Sequence, residues 1–368
     1  MRRSCWACCP TSSVASVTSP ISPVPSAADE IAAAVVEAGG ALRFDRFLDL
    51  ALYGEGGFYA TGGRAGRRGD FLTSPEVGPL FGTVLGAWIA AEHRRLGEPA
   101  DFEVIEVGAG PGTLARSIQQ HWRAAGVAGH PYTAVETSAA QRTTHPEGIA
   151  SVSAMPDRPV VGVVIANELL DNLPFRLLVF DGGWREAHVT VAGGRLVEVL
   201  APLTDTPAWL PATAPHGARV PWQEAAAGWV AAARRMLTAG TVLCIDYVTP
   251  RTAELASMPW REWLRTYRGH ERGGHYLTDP GGQDVTGQVA LDQLPEPDVV
   301  RTQAQFLQRW GIDDLVDEGR RAWEAAAAAP TVAAMRMRSR VREAEALLDP
   351  AGLGGFLTLE WSTPARPS

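Results

Sequence analysis

Residues 102–114 read Phe-Glu-Val-Ile-Glu-Val-Gly-Ala-Gly-Pro-Gly-Thr-Leu, and the fold is decided there. Residues 102–107 form an apolar-rich run of strand length, and 113–124 set Leu114, Ile118 and Trp122 at helical spacing. Gly108, Gly110 and Gly112 join the two. A glycine-rich turn from strand to helix lets backbone come close to a ligand and presents N–H groups at the helix start. Glu106 stands two residues before the first glycine, and the next strand-like run, 132–135, leads into Glu136. An acid at the end of that second strand suits hydrogen bonds from ribose hydroxyls.

Two cofactors compete for such a loop. A nicotinamide dinucleotide asks for G-x-G-x-x-G, with the helix start facing a pyrophosphate. This chain has G-x-G-x-G, and Glu106 would repel a pyrophosphate while suiting the cationic amino-acid end of S-adenosyl-L-methionine. Spacing and charge favour S-adenosyl-L-methionine, both over the dinucleotide and over a glycine turn that holds no ligand. Further on, the apolar run 160–166 opens into Asn167, Glu168 and Asp171. Polar groups at the carboxyl end of a buried strand face the ligand crevice of an α/β sheet. Asn167 is expected on the cofactor or the substrate. Glu168 and Asp171, three apart, would converge through one helical turn, although helix capping competes as a role for Asp171.

Beyond the loop the pattern alternates. Strands at 102–107, 132–135, 160–166 and 241–247 are interleaved with helices at 113–124 and 222–237. Helices at 302–309, 312–329 and 332–348 and a last strand at 355–361 complete the chain. Such alternation implies a Rossmann-like α/β fold, a mostly parallel sheet with helices on both faces. The expected division is a disordered tail at 1–28, an N-terminal helical cap with a glycine-rich loop at 29–100, a core at 101–250 and 301–368, and an inserted lobe or lid at 251–300. Residues 175–200 alternate around Gly-Gly turns and are expected as antiparallel ribbon added to the sheet.

Composition excludes several chemistries. All 33 basic residues are arginine, so no lysine can form a Schiff base or serve a phosphate loop. The net charge of −8 argues against a nucleic-acid partner. No apolar run is long enough to cross a bilayer, so no membrane insertion is expected. Cys5, Cys8, Cys9 and Cys244 make no disulfide framework and fit a reducing, cytoplasmic setting. No second ligand pair accompanies the first three, and His270, His275 and Asp279 lack metal-site spacing, so no metal is expected. Those histidines read instead as loop residues near a substrate mouth.

Several blocks then occur in order. They are Gly69-Asp70-Phe71-Leu72-Thr73-Ser74-Pro75-Glu76, Phe81-Gly82, the 106–114 loop, Val135-Glu136-Thr137-Ser138, Ala166-Asn167-Glu168, Asp246-Tyr247 and Arg268-Gly269-His270. Together they resemble the MidA family of class I methyltransferases, from about residue 29 to the end. The resemblance implies a class I methyltransferase fold and S-adenosyl-L-methionine as cofactor. It also implies transfer to a protein, a respiratory-complex subunit among the candidates, at an arginine nitrogen; a homodimer is left open. Gly69 and Thr73 join Glu106, Gly108, Gly110, Gly112, Glu136 and Asn167 as cofactor residues. Carboxylates can orient a guanidinium through bidentate bonds, which makes Glu168, Glu76 and Asp171 the catalytic candidates. Two departures stand out. The family loop reads E-x-G-P-G-x-G, whereas here the proline is Pro111 and its family place holds Ala109. Gln288-Val-Ala-Leu-Asp292 replaces a segment with aromatic and histidine residues, which leaves a small-molecule acceptor open, as well as a silent assembly chaperone on the same fold.

Overall fold

The computed structural model describes residues 25–61, 73–269 and 271–364. Gly69, Asp70 and His270, and most of the expected tail, lie outside the described residues.

Strand Val160–Asn167 carries no charged side chain and is almost wholly buried, as a strand covered on both faces must be. It sits in the middle of a seven-stranded sheet. The order is Val299–Thr302, Leu357–Thr363, Leu237–Asp246, Val160–Asn167, Phe102–Val107, Tyr132–Val135, Ala150–Val152. The last five pair in parallel, and Leu357–Thr363 runs antiparallel to both its neighbours, so it alone is reversed. Helices Pro79–Arg95 and Thr113–Ala125 cover one face through Phe81, Trp88, Ile118 and Trp122. Helix Glu224–Met236 covers the other through Ala226, Val230 and Ala233. Helix Gln303–Arg309 starts at a capping box: the Gln305 N–H donates to Thr302 Oγ1 and the Thr302 N–H to Gln305 Oε1. From Phe102–Val107 the chain moves to one side, and from Val160–Asn167 to the other. The crevice beyond their carboxyl ends is therefore the topological switch point.

Residues 176–222 depart from expectation. They do not extend the main sheet. Arg176–Phe180, Trp184–Ala192, Arg195–Pro202 and Arg219–Trp222 form an antiparallel sheet of their own, edged by Leu42–Arg43. The reason is which side chains need cover. Phe175, Leu177, Ala187 and Val189 are buried against Phe44, Phe47 and Leu48 of helix Phe44–Tyr53, not against the parallel sheet. Trp263, Leu264, Tyr276 and Val285 join the same core. The amino-terminal helices, the ribbon and part of 251–300 thus make one cap lobe from three separate stretches. Among the described residues no helix is long and apolar enough to cross a membrane, and no group of three or more His, Cys, Asp or Glu could hold a metal.

Candidate functional site

Gly108, Gly110 and Gly112 take φ of 72°, 53° and 76°, the left-handed region where a side chain is strained, and this explains three glycines in five residues. The moved proline also has a physical account. The Ala109 N–H donates to the Val135 carbonyl at 3.1 Å, a bond a proline there could not make. The Pro111 carbonyl meanwhile accepts from Arg116 and from Thr144 Oγ1.

Around this loop lies a cavity of about 600 Å³. Glu106, Gly108, Gly110, Glu136, Asn167, Thr73, Glu76 and Glu168 all line it, as does Thr113 just after Gly112. Glu136 is 8% exposed, and its carboxylate accepts from the Gly110 N–H at 2.9 Å and the Ser138 N–H at 2.7 Å. A carboxylate has about four acceptor positions, so capacity is left for hydroxyls in the cavity. Burial pushes Glu106 up to about 7, although the Tyr132 hydroxyl donates to it at 2.6 Å and works the other way. A cation beside it would bring it back down. Asn167 donates to Glu168 through Nδ2 at 3.0 Å, while its buried Oδ1 has no partner among the described residues. A buried acceptor left unpaired costs about 1–3 kcal/mol, so an ammonium or hydroxyl donor in the cavity fits it. Leu169, Met155 and Trp229 supply the apolar surface that a purine ring needs. The donors, acceptors and apolar walls fit S-adenosyl-L-methionine.

Glu76 accepts from Thr113 Oγ1 at 2.5 Å and joins its short helix to the cofactor-loop helix. Glu168 takes φ of 52°, unusual for a residue with a side chain, and its N–H donates to the Ile245 carbonyl. Its carboxyl accepts from the Asn167 amide and, at 3.4 Å, from the Ser74 N–H. Burial first, then the nearby Asp171, pushes Glu168 up to about 8. Asp171 corrects the expected geometry. No α-helical turn carries it; it lies on a 3-10 turn, Leu170–Asn172, after the left-handed Glu168. It therefore faces away from the cofactor cavity, accepting from Thr286 Oγ1 at 2.6 Å, and meets Glu168 in a separate, smaller chamber. Burial pushes Asp171 up to about 6, against the hydrogen bond from Thr286.

Asp49, Tyr53 and Tyr59 of the cap lobe also line the large cavity and escaped sequence reasoning. The Tyr53-Gly-Glu-Gly-Gly-Phe-Tyr59 run is glycine-rich, but nothing in it shows which part of the chain its tyrosines face. The Tyr59 hydroxyl lies 3.2 Å from both Asn172 Oδ1 and Asp284 Oδ1, shares its one proton between them, and so bridges cap and core. His275 lines neither the large cavity nor the smaller chamber: it packs against Tyr276 and Trp260, and Asp279 pairs with Arg268.

Comparisons with known proteins agree with this cavity. A sequence profile of S-adenosyl-L-methionine-dependent methyltransferases matches residues 84–307. The mitochondrial protein arginine methyltransferase NDUFAF7 homolog of Drosophila melanogaster is 34% identical over 93 residues, covering 25% of this chain and 21% of that relative. The Homo sapiens protein arginine methyltransferase NDUFAF7 is 40% identical over 62 residues, covering 17% of this chain and 14% of that protein. The chain thus matches about a fifth or less of these relatives' length. A structure from Burkholderia thailandensis, bound to S-adenosyl-homocysteine, is 28% identical, covers 93% of each chain and superposes with a TM-score of 0.79. A second from the same organism is 26% identical over 93% of this chain and 92% of the other, with a TM-score of 0.78.

Proposed function

This chain belongs to the MidA family of S-adenosyl-L-methionine-dependent methyltransferases, and on that premise we propose that its acceptor is the guanidinium nitrogen of a protein arginine. When bound, the cofactor supplies a methyl group already activated on a sulfonium. The chain's own task is then to position a nitrogen and to manage one proton. The observation that favours a cationic acceptor is Glu168: a carboxyl enclosed at the cavity wall and bonded, among the described residues, by one amide and one long backbone N–H. Such a group gains most from a partner that brings positive charge and several donors, as a guanidinium does. The acceptor nitrogen gives up one proton for each methyl gained. Glu168, with a proton affinity lifted toward neutral pH, is the side chain suited to hold it. The arginine methyltransferase names of the partial relatives support the same acceptor.

The test is quantitative mass spectrometry of methyl-arginine peptides from cells with and without the chain. Recovered peptides are then offered to the purified protein with labelled S-adenosyl-L-methionine. A site that loses methylation in the deficient cells and regains it in vitro is the expected result. Unchanged methyl-arginine throughout overturns the arginine acceptor.

A further inference from the structure

Behind Glu168 the second chamber has a volume of about 210 Å³ and shares with the cofactor cavity the Glu168 side chain itself. That is below the usual range for a whole small-molecule ligand and suits one side-chain group. Glu168, Asp171 and Asp284 bring three carboxyls to its wall. Tyr247, Trp263 and Tyr267 bring aromatic rings. Trp263 is fully buried, and its indole N–H has no hydrogen-bond partner among the described residues. Among the described residues the cation in the lining is Arg265, so one more would still leave the carboxyls in excess. Arg265, Tyr267 and Gln288 are only half-buried and form the rim.

We infer that this chamber is the acceptor subsite: it holds the substrate guanidinium between Asp171 and Glu168 against the aromatic wall, with one nitrogen turned past Glu168 toward the cofactor cavity. The inference rests on the arginine reading above and adds the place and the residues. The planar cation is held by carboxylates on its edge and rings on its face, the two surfaces a guanidinium offers. Tyr59 belongs to the wall between the two spaces: it lines the cofactor cavity, and its hydroxyl reaches Asp284 of the chamber. Gln288, where the sequence departs from its family, lies on the rim and so touches the acceptor rather than the cofactor.

Arg265 makes the assignment testable by sign. A like charge on the chamber wall works against a second cation, whereas a structural arginine would not. N-acetyl-arginine methylamide is titrated calorimetrically into the full chain saturated with S-adenosyl-homocysteine, at pH 8.5. Asp171→Asn should weaken the probe at least tenfold, and Arg265→Gln should tighten it on the order of tenfold. Affinity for S-adenosyl-homocysteine should stay within about twofold in both, which also reports folding. Should the buried Asp171→Asn fail to fold, the rim variant Arg265→Gln decides alone. Arg265→Gln leaving the probe affinity unchanged or weaker overturns the subsite, as does a probe that competes with S-adenosyl-homocysteine. Preference for ethylammonium over the guanidinium probe overturns the ligand class. Loss of methyl-arginine sites in deficient cells together with any of these results would sink the subsite and leave the arginine acceptor standing.

Discussion

Glu168→Gln should make the protein more stable and nearly inactive at the same time, with a stability gain that grows as pH rises from about 4.5 to about 8. Burial lifts the Glu168 carboxyl from its ordinary 4.5 to about 8. Below pH 4.5 it is protonated in the folded and unfolded chains alike and costs nothing. As pH rises from 4.5 to about 8, only the unfolded chain releases the proton, so stability falls; above about 8 the loss is complete. At about 1.4 kcal/mol for each tenfold change in proton affinity, the full loss is about 5 kcal/mol. The side chain lines two cavities, and water there screens part of the cost, leaving about 2–4 kcal/mol. Glutamine mimics the protonated form and never carries the charge. Urea denaturation of both proteins should therefore give nearly equal stability at pH 5 and a glutamine variant ahead by about 2–4 kcal/mol at pH 9. Asp171 and Asp246 are also lifted, but they titrate in both proteins and largely cancel in the difference. Methyl transfer should fall by about a hundredfold or more, since the group that holds the acceptor and its proton is gone. A variant less stable than wild type at pH 9, or a difference that ignores pH, would refute the burial argument.

Other consequences are as direct. Glu136→Gln, which turns an acceptor-only group into one that also donates toward the Gly110 and Ser138 N–H groups, should weaken S-adenosyl-homocysteine binding about tenfold to a hundredfold by calorimetry. Gly162→Ala would set a Cβ 1.9 Å from the Glu103 carbonyl in the middle of the parallel sheet, at a φ of 149°. It should cost about 3 kcal/mol or more in chemical denaturation, or prevent folding. Arg176→Ala strips Glu186 of a buried bidentate partner at 2.7 and 2.8 Å and removes the guanidinium stacked 3.9 Å from the Trp222 ring. A loss of about 3–5 kcal/mol in the cap lobe is expected, with Arg176→Met only slightly milder, because it keeps packing on Trp222 but leaves Glu186 equally unpaired.

The sequence by itself determined the core. An apolar run, three glycines at left-handed positions and a second strand ending in Glu136 are local facts, set by which residues a strand, a turn and a helix start tolerate. Their spacing along the chain was enough to place Glu106, Gly108, Gly110 and Glu136 around one cavity. Local pattern also identified the strands of the ribbon, but not their destination. An alternating strand shows that one face will be buried without showing against what, and only packing sent Phe175, Leu177 and Val189 to the Phe44–Tyr53 helix instead of the main sheet. The same limit hid Tyr53 and Tyr59, which reach the cavity across more than a hundred residues of chain to Asn172. It hid the acceptor chamber altogether. Glu168 and Asp171 lie three apart and meet in that chamber, yet past the left-handed backbone at Glu168 only Glu168 lines the cofactor cavity as well. Trp263 at the end of a short helix, and Arg265 and Thr286 on a strand pair, complete the chamber, brought there by the folding of the cap lobe.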